Sequence, residues 1–134
     1  MIDSYLTIRT QSSGLYKSKG SKFLSFAHPV KDTEEVKDLI TGYKKQYHNA
    51  RHVCYAYVLG PERDDFRFND DGEPSGTAGK PILGQINARN LTNVLVVVVR
   101  YFGGILLGTG GLVTAYKEAA SDADTAMFVW VNGG

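Results

Sequence analysis

The spacing of apolar positions changes several times along the chain. Residues 5–9 (YLTIR) and 22–30 (KFLSFAHPV) are rich in aromatic and β-branched side chains and predict two strands, with turn chemistry in the QSSGLYKSKGS stretch between them. From Asp32 the period lengthens. Val36, Leu39, Ile40, Tyr43 and Tyr47 fall on one helical stripe, and Asp32 with Glu35 forms a capping-box variant at its start. Gly42 inside that stripe costs about 1 kcal/mol relative to alanine. Residues 52–59 (HVCYAYVL) return to strand character, Gly60 and Pro61 break it, and 66–68 supply a short partner strand. Ile82, Ile86 and Arg89 recur at helical spacing behind Pro81, a residue suited to a first helical turn. Residues 93–100 (NVLVVVVR) show no alternation, so they predict a central strand covered on both faces. Five glycines follow, at 103, 104, 108, 110 and 111, before Leu112, Ala115, Tyr116, Ala119 and Ala123 mark a last helix; MFVWV near the end adds a strand. The order of elements is that of a mixed α/β domain.

Length agrees with one domain, since 134 residues sit within the usual range of about 100 to 150. Charge excludes a strong general field: the net value is +1, with +3 over residues 1–67 and −2 over residues 68–134. Any polyanion would meet the N-terminal half. The single cysteine, Cys54, makes neither an internal disulfide nor a multi-thiolate zinc site, and a reducing compartment follows. The first residues lack a signal-peptide pattern and the longest apolar run, 94–99, is far short of the roughly 20 residues of a spanning helix, so the expectation is a soluble cytoplasmic protein without a membrane partner.

Two stretches are unusual. The first, DDGEPSGTAGKP at 70–81, places Asp70, Asp71 and Glu73 beside Gly72, Pro74, Gly76, Thr77 and Gly79. An EF-hand reading fails because Arg67 and Ala78 would occupy the first and last ligand positions. A Mg²⁺ on one or two carboxylates stays open, but a turn at Asp71-Gly72 is preferred, and no metal or other cofactor is expected. The second is the glycine-rich turn before the last helix, whose backbone N–H groups suit an anion. It matches neither a Walker A loop, since Thr109 follows Gly108, nor a dinucleotide fingerprint, so glycines serving positive φ and close packing are preferred.

His28, His48 and His52 share no ligand spacing; His48 complements a helix C-terminus, and Cys54, on the strand face of His52, reads as a buried thiol. No nucleophile with an attached base is evident, so no catalytic residue is assigned and an enzymatic role is not expected. Lys17, Lys19, Lys22, Lys44, Lys45 and Arg51 are interleaved with Tyr16, Phe23, Tyr43 and Tyr47, the mixture that phosphate contact and base stacking need; a solvated lysine surface with inward-turned aromatics accounts for them equally.

The stretches DDGEPSGTAGKPIL and VVVVRYFGGILLGTGGLVTAYKEAA, with the KSKGSKFLSF entry and the ARHVCYAYVLG strand, resemble the Impact family and its bacterial YigZ-type branch over roughly residues 15–122. The resemblance implies a two-layer α/β domain with helices on one face of a sheet, similar to domain IV of elongation factor G and to a domain of a small-subunit ribosomal protein. It also implies a left-handed βαβ crossover, against the general right-handed rule. Eukaryotic members of the family look like translational regulators in the amino-acid starvation response. Bacterial members usually carry a second, ferredoxin-like domain, and RNA or a ribosome-associated protein is the partner the resemblance implies. The chain stops before such a domain, and DTAMFVWVNGG after Ala123 departs from the usual continuation, as in a truncated or divergent member.

Carried onto this chain, the family motifs are Asp70, Asp71, Gly72, Glu73, Pro74, Gly76, Thr77, Ala78 and Gly79, then Arg100, Tyr101, Phe102, Gly103, Gly104, Gly108, Gly110 and Gly111. The expected site is a cleft where the two stretches meet. In it Arg100 pairs with an acid of the 70–73 loop or offers its fork to phosphate. A translation-linked RNA- or ribosome-binding module is the first functional reading; a Mg-dependent phosphate- or nucleotide-binding enzyme is the second.

Overall fold

The computed structural model describes residues 4–123 and 128–132. Strands β1 (Ser4–Ile8), β2 (Ser12–Ser18) and β3 (Ser21–Pro29) open the chain, followed by helix α1 (Thr33–Gln46), β4 (His52–Leu59) and β5 (Asp65–Asn69). Helix α2 (Gly79–Ala88), β6 (Val94–Tyr101), helix α3 (Gly108–Ala123) and β7 (Phe128–Asn132) complete it. The main sheet has the order β2-β3-β6-β4-β5 and is antiparallel throughout, while β1 and β7 form a separate two-stranded sheet. Because β6 pairs antiparallel with both β3 and β4, those two strands run parallel and α1 joins them as a βαβ unit with β6 inserted.

The continuous apolar run of β6 fills the centre, and Val94 to Val99 are all fully buried. Its even positions, Val94, Val96 and Val98, pack with Ile82, Ile86, Leu112, Ala115, Tyr116 and Ala119 of α2 and α3. Its odd positions, Leu95, Val97 and Val99, pack with Val36, Ile40 and Tyr43 of α1. The period-two alternation of a strand therefore sends side chains to both faces. The family resemblance implies helices on one face only; instead α1 covers one face of the sheet and α2 and α3 the other. Each large apolar side chain so buried contributes roughly 1.5 to 3 kcal/mol.

The segment read as a turn between two early strands contains a strand of its own. Residues 12–18 pair with β3 from Ser12↔Ala27 to Ser18↔Ser21, leaving only Lys19 and Gly20 as the turn, both at positive φ. Asp32 caps α1, its Oδ1 accepting from the Glu35 N–H at 2.9 Å, which is the first half of the expected capping box. Helix α3 begins at Gly108, four residues ahead of its first apolar position. The predicted terminal strand is β7, which sets Trp130 opposite Leu6; the expectation of a divergent continuation at 124–127 and 133–134 lies outside the described residues. No described helix is long and apolar enough to cross a membrane.

Candidate functional site

The β-ladder register decides what meets at one end of the molecule. Lys22 lies opposite Tyr101, Phe23 opposite Arg100, and His52 opposite Arg100 on the other side, so β3 and β4 begin where β6 ends. The 70–79 loop and the 100–111 turn both arrive there. A cavity of about 260 Å³ lies between them, lined by Arg51, His52, Glu73, Pro74, Arg100, Phe102, Leu106, Gly108 and Thr109 among others.

Arg100 and Glu73 join the two stretches. Both are buried, at 4% and 7% exposure, and Nη1 of Arg100 donates to Oε1 and Oε2 of Glu73 at 2.9 and 2.8 Å. Of the two roles expected for Arg100, the structure has the pairing with an acid. Tyr116 donates from its hydroxyl to Glu73 Oε2 at 2.5 Å, and His52 Nε2 lies 3.4 Å from Oε1. The other ring nitrogen of His52, Nδ1, donates to the Asp71 carbonyl at 2.7 Å, which fixes the imidazole. Arg100 Nη2 reaches Ser21 Oγ at 3.4 Å, whereas its Nε is buried with no partner. Phe23 and Phe102 each present a ring 5.5 Å from the Arg100 guanidinium, and Arg51 stacks over Phe102 at 4.5 Å.

The remaining carboxylates of the acidic loop serve the fold. Asp70 accepts from the N–H groups of Gly76, Ala78 and Gly79 at 3.0, 3.1 and 2.8 Å. It thereby caps α2, whose own N-cap residue, Ala78, has no side chain able to do so. Asp71 Oδ2 accepts from Val53 N–H at 2.7 Å, and Oδ1 lies 3.8 Å from Lys44 Nζ. A Mg²⁺ ion on this loop would have to displace these donors, and among the described residues no three His, Cys, Asp or Glu side chains converge as a metal site. Pro74 and Thr77 close the loop, with Thr77 N–H and hydroxyl both donating to the Pro74 carbonyl.

The glycines divide by cause. Gly72, Gly76, Gly104 and Gly108 hold positive φ, which glycine adopts without strain. At Gly79 a Cβ would stand 2.6 Å from the Asn69 nitrogen, and at Gly103 it would overlap the Gly20 backbone. Gly110 has neither reason, and nothing lies within 4 Å of a Cβ built there; at Gly111 a Cβ would come within 3.1 Å of the Leu107 Cβ.

The basic residues do not form one cluster. Lys17, Lys19 and Lys22 gather at the β2–β3 turn, against Gly103, and Arg51 flanks Phe102 at the same end. Lys44 instead lines a different groove with Lys37, Tyr55, Tyr57 and Arg67, and Lys45 is exposed on the last turn of α1. The interleaved aromatics face inward. Phe26, Tyr43 and Tyr47 stack in the α1 core, with Phe26 and Tyr43 centroids 4.7 Å apart, and Phe23 packs edge-on to Tyr116. The apolar side chains left open at the basic end are Ile105 and Leu106, the latter 81% exposed.

Tyr116 and His52 complete the buried network, and sequence reasoning did not assign them to it. Tyr116 carried one signal, because a tyrosine on a buried stripe requires a partner for its hydroxyl. Cys54 is buried as expected, with Sγ 3.1 Å from the Asp70 carbonyl and 3.5 Å from the Tyr116 hydroxyl. Burial pushes its thiol well above the ordinary range, and burial likewise drives Tyr116 upward, so neither offers an anionic nucleophile.

The family model described as the Impact N-terminal domain matches residues 19–123. IMPACT family member YvyE of Bacillus subtilis is 42% identical over 122 residues, 91% of this chain and 56% of the relative. IMPACT family member YigZ of Escherichia coli is 39% identical over 124 residues, 91% of this chain and 61% of the relative. The chain thus spans little more than half the length of these curated relatives. A crystal structure described as that of a hypothetical protein superposes with a TM-score of 0.93 at 36% identity, covering 98% of this chain and 66% of the other.

Proposed function

The chain belongs to the Impact family, and from that premise we propose that it is a translation-linked module that binds RNA through the end of the molecule where β2, β3 and β6 meet. The observation that carries the reading is that the β2–β3 turn bearing Lys17, Lys19 and Lys22 packs on Gly103, at the same end of β6 as Arg51, Phe102 and the exposed Ile105 and Leu106. Flexible cations around an open, glycine-rich turn suit a phosphate backbone, and the low net charge of the whole chain concentrates the attraction at this end. The reading is non-enzymatic: Glu73 is engaged by both Arg100 and Tyr116, and burial keeps the Cys54 thiol protonated. A ribosome-associated protein is the alternative occupant of the same end.

Filter binding of a single-stranded RNA over a salt series tests it. Replacing Lys17, Lys19 and Lys22 together by alanine is expected to weaken binding and to lower the magnitude of the salt slope by about 2, since each phosphate contact on a single strand contributes about 0.7. Binding that is absent, or unchanged in the triple variant, contradicts the proposal.

A further inference from the structure

The main sheet has an open edge at β5. Among the described residues β5 is paired only with β4, and all five of its residues are exposed. The outward backbone N–H and C=O groups of such a strand are a template for a further strand, and proteins usually blunt them with a proline, a bulge or a covering segment. Here the ladder runs without a bulge from Tyr55↔Asn69 to Leu59↔Asp65, the strand (DFRFN) holds no proline, and Phe66 and Phe68 are 55% and 41% exposed.

The register gives the two faces of this edge different chemistry. Phe66 and Phe68 lie opposite Val58 and Ala56, on the face that carries α2 and α3. Arg67 lies opposite Tyr57, on the face that carries α1. There a groove of about 440 Å³ between α1 and the β4–β5 pair is lined by Lys37, Lys44 and Arg67 with Tyr55 and Tyr57, and Glu34 is the one acid among its lining residues. Lys44 reaches Asp71 only at 3.8 Å with its side chain 53% exposed, so the groove keeps an excess of positive charge. A strand added beside β5 sends alternate side chains to these two faces. One set meets the cations and the other meets Phe66 and Phe68. A second copy of this chain fits the edge less well. About a two-fold axis, the register that uses all five residues sets the two Arg67 side chains opposite each other, and the register that sets Asp65 opposite Arg67 pairs only three residues of each strand.

We propose that β5 and the adjoining groove bind an extended segment of a partner protein, in which acidic and apolar residues alternate, as an added edge strand. Its acids pair with Arg67, Lys37 and Lys44, and its apolar residues pack on Phe66 and Phe68. The proposal is independent of the RNA-binding reading, because β5 lies at the opposite edge of the sheet from β2.

Isothermal titration of the 134-residue chain with the blocked peptides EVEVEVE and KVKVKVK tests the charge preference. The acidic peptide is expected to bind, and the basic one to bind at least about tenfold more weakly. Arg67→Glu, at an exposed position, should leave the melting temperature unchanged and weaken the acidic peptide about tenfold. Main-chain pairing has a separate signature: N-methylation of the valines and N-methylation of the glutamates remove donors from opposite edges of the peptide strand, so one of the two methylated peptides should lose binding and the other keep it. No binding of EVEVEVE, equal binding of KVKVKVK, an affinity unchanged by Arg67→Glu, or a methylation pattern other than one loss of the two overturns the proposal. Sedimentation that finds a dimer dissociated by Phe66→Lys assigns the edge to a second copy, and displacement of the peptide by single-stranded RNA assigns the groove to a polyanion; either result overturns it as well.

Discussion

Glu73 is the residue on which the interior at the motif end depends. Its carboxylate is buried and satisfied by Arg100 and Tyr116, so Glu73→Gln strands a guanidinium where water cannot reach it. A loss of about 3 to 5 kcal/mol in urea unfolding is expected, and the double variant Glu73→Leu with Arg100→Met should be more stable than Glu73→Gln, because it removes both charges together. His28 gives a second test at this scale. Burial holds its imidazole below the ordinary value of 6.5, against a smaller opposing pull from Glu35, and Nε2 is bonded to the Tyr43 hydroxyl at 2.5 Å. The folded state therefore prefers the neutral ring. Stability is fully present above pH 6.5 and falls as the pH drops from 6.5 toward the depressed folded value. Urea midpoints at pH 7.5 and 5.5 should differ more for the native chain than for His28→Gln; equal differences would show that His28 does not couple to folding. Of these residues, Arg100 was legible as a partner for some acid of the 70–73 loop, or for a phosphate, but the sequence did not single out Glu73 from Asp70 and Asp71. The His28–Tyr43 contact was not legible, since nothing in the sequence announces which buried hydroxyl meets which ring.

At the scale of elements, glycine is where sequence reading and structure part. The β2 segment reads as a turn because serines and Gly14 have poor strand propensity, yet a Cβ at Gly14 would stand 2.7 Å from the Ala123 nitrogen and from Ser25 Oγ. Gly14 marks a close approach of α3 to an edge strand, which only the tertiary fold reveals. By contrast, β6 was legible in full, because a β-branched run without alternation leaves no face for water. The same logic ranks the motif glycines. Gly103→Ala should destabilise clearly, since its Cβ meets the Gly20 backbone, which cannot swing away as a flexible side chain would. Gly110→Ala should be neutral or stabilising by up to about 1 kcal/mol, because the position is helical and open. Thermal unfolding of the two variants decides; a destabilised Gly110→Ala would mean that the glycine is required by packing after all.

For the whole molecule, the strand order fixes the functional geography. Helix α1 on one face and α2 with α3 on the other leave the ends of the sheet open, and both motifs reach the same end because β6 ends where β3 and β4 begin. The sequence carried the two motifs and the expectation that they meet, but not the contact that joins them: Glu73 and Arg100 stand 27 positions apart, and the register of three strands sets which acid faces the guanidinium. It also grouped Lys44 and Lys45 with the other cations, although α1 carries them to other parts of the surface, Lys44 into a separate groove. Amide chemical shifts recorded during titration with a short single-stranded RNA measure this directly. Perturbations concentrated at residues 17–22, 51–52 and 102–110 are predicted. Perturbations centred instead on the groove of Lys37, Lys44 and Arg67, or shifts nowhere at saturating RNA, would contradict the account.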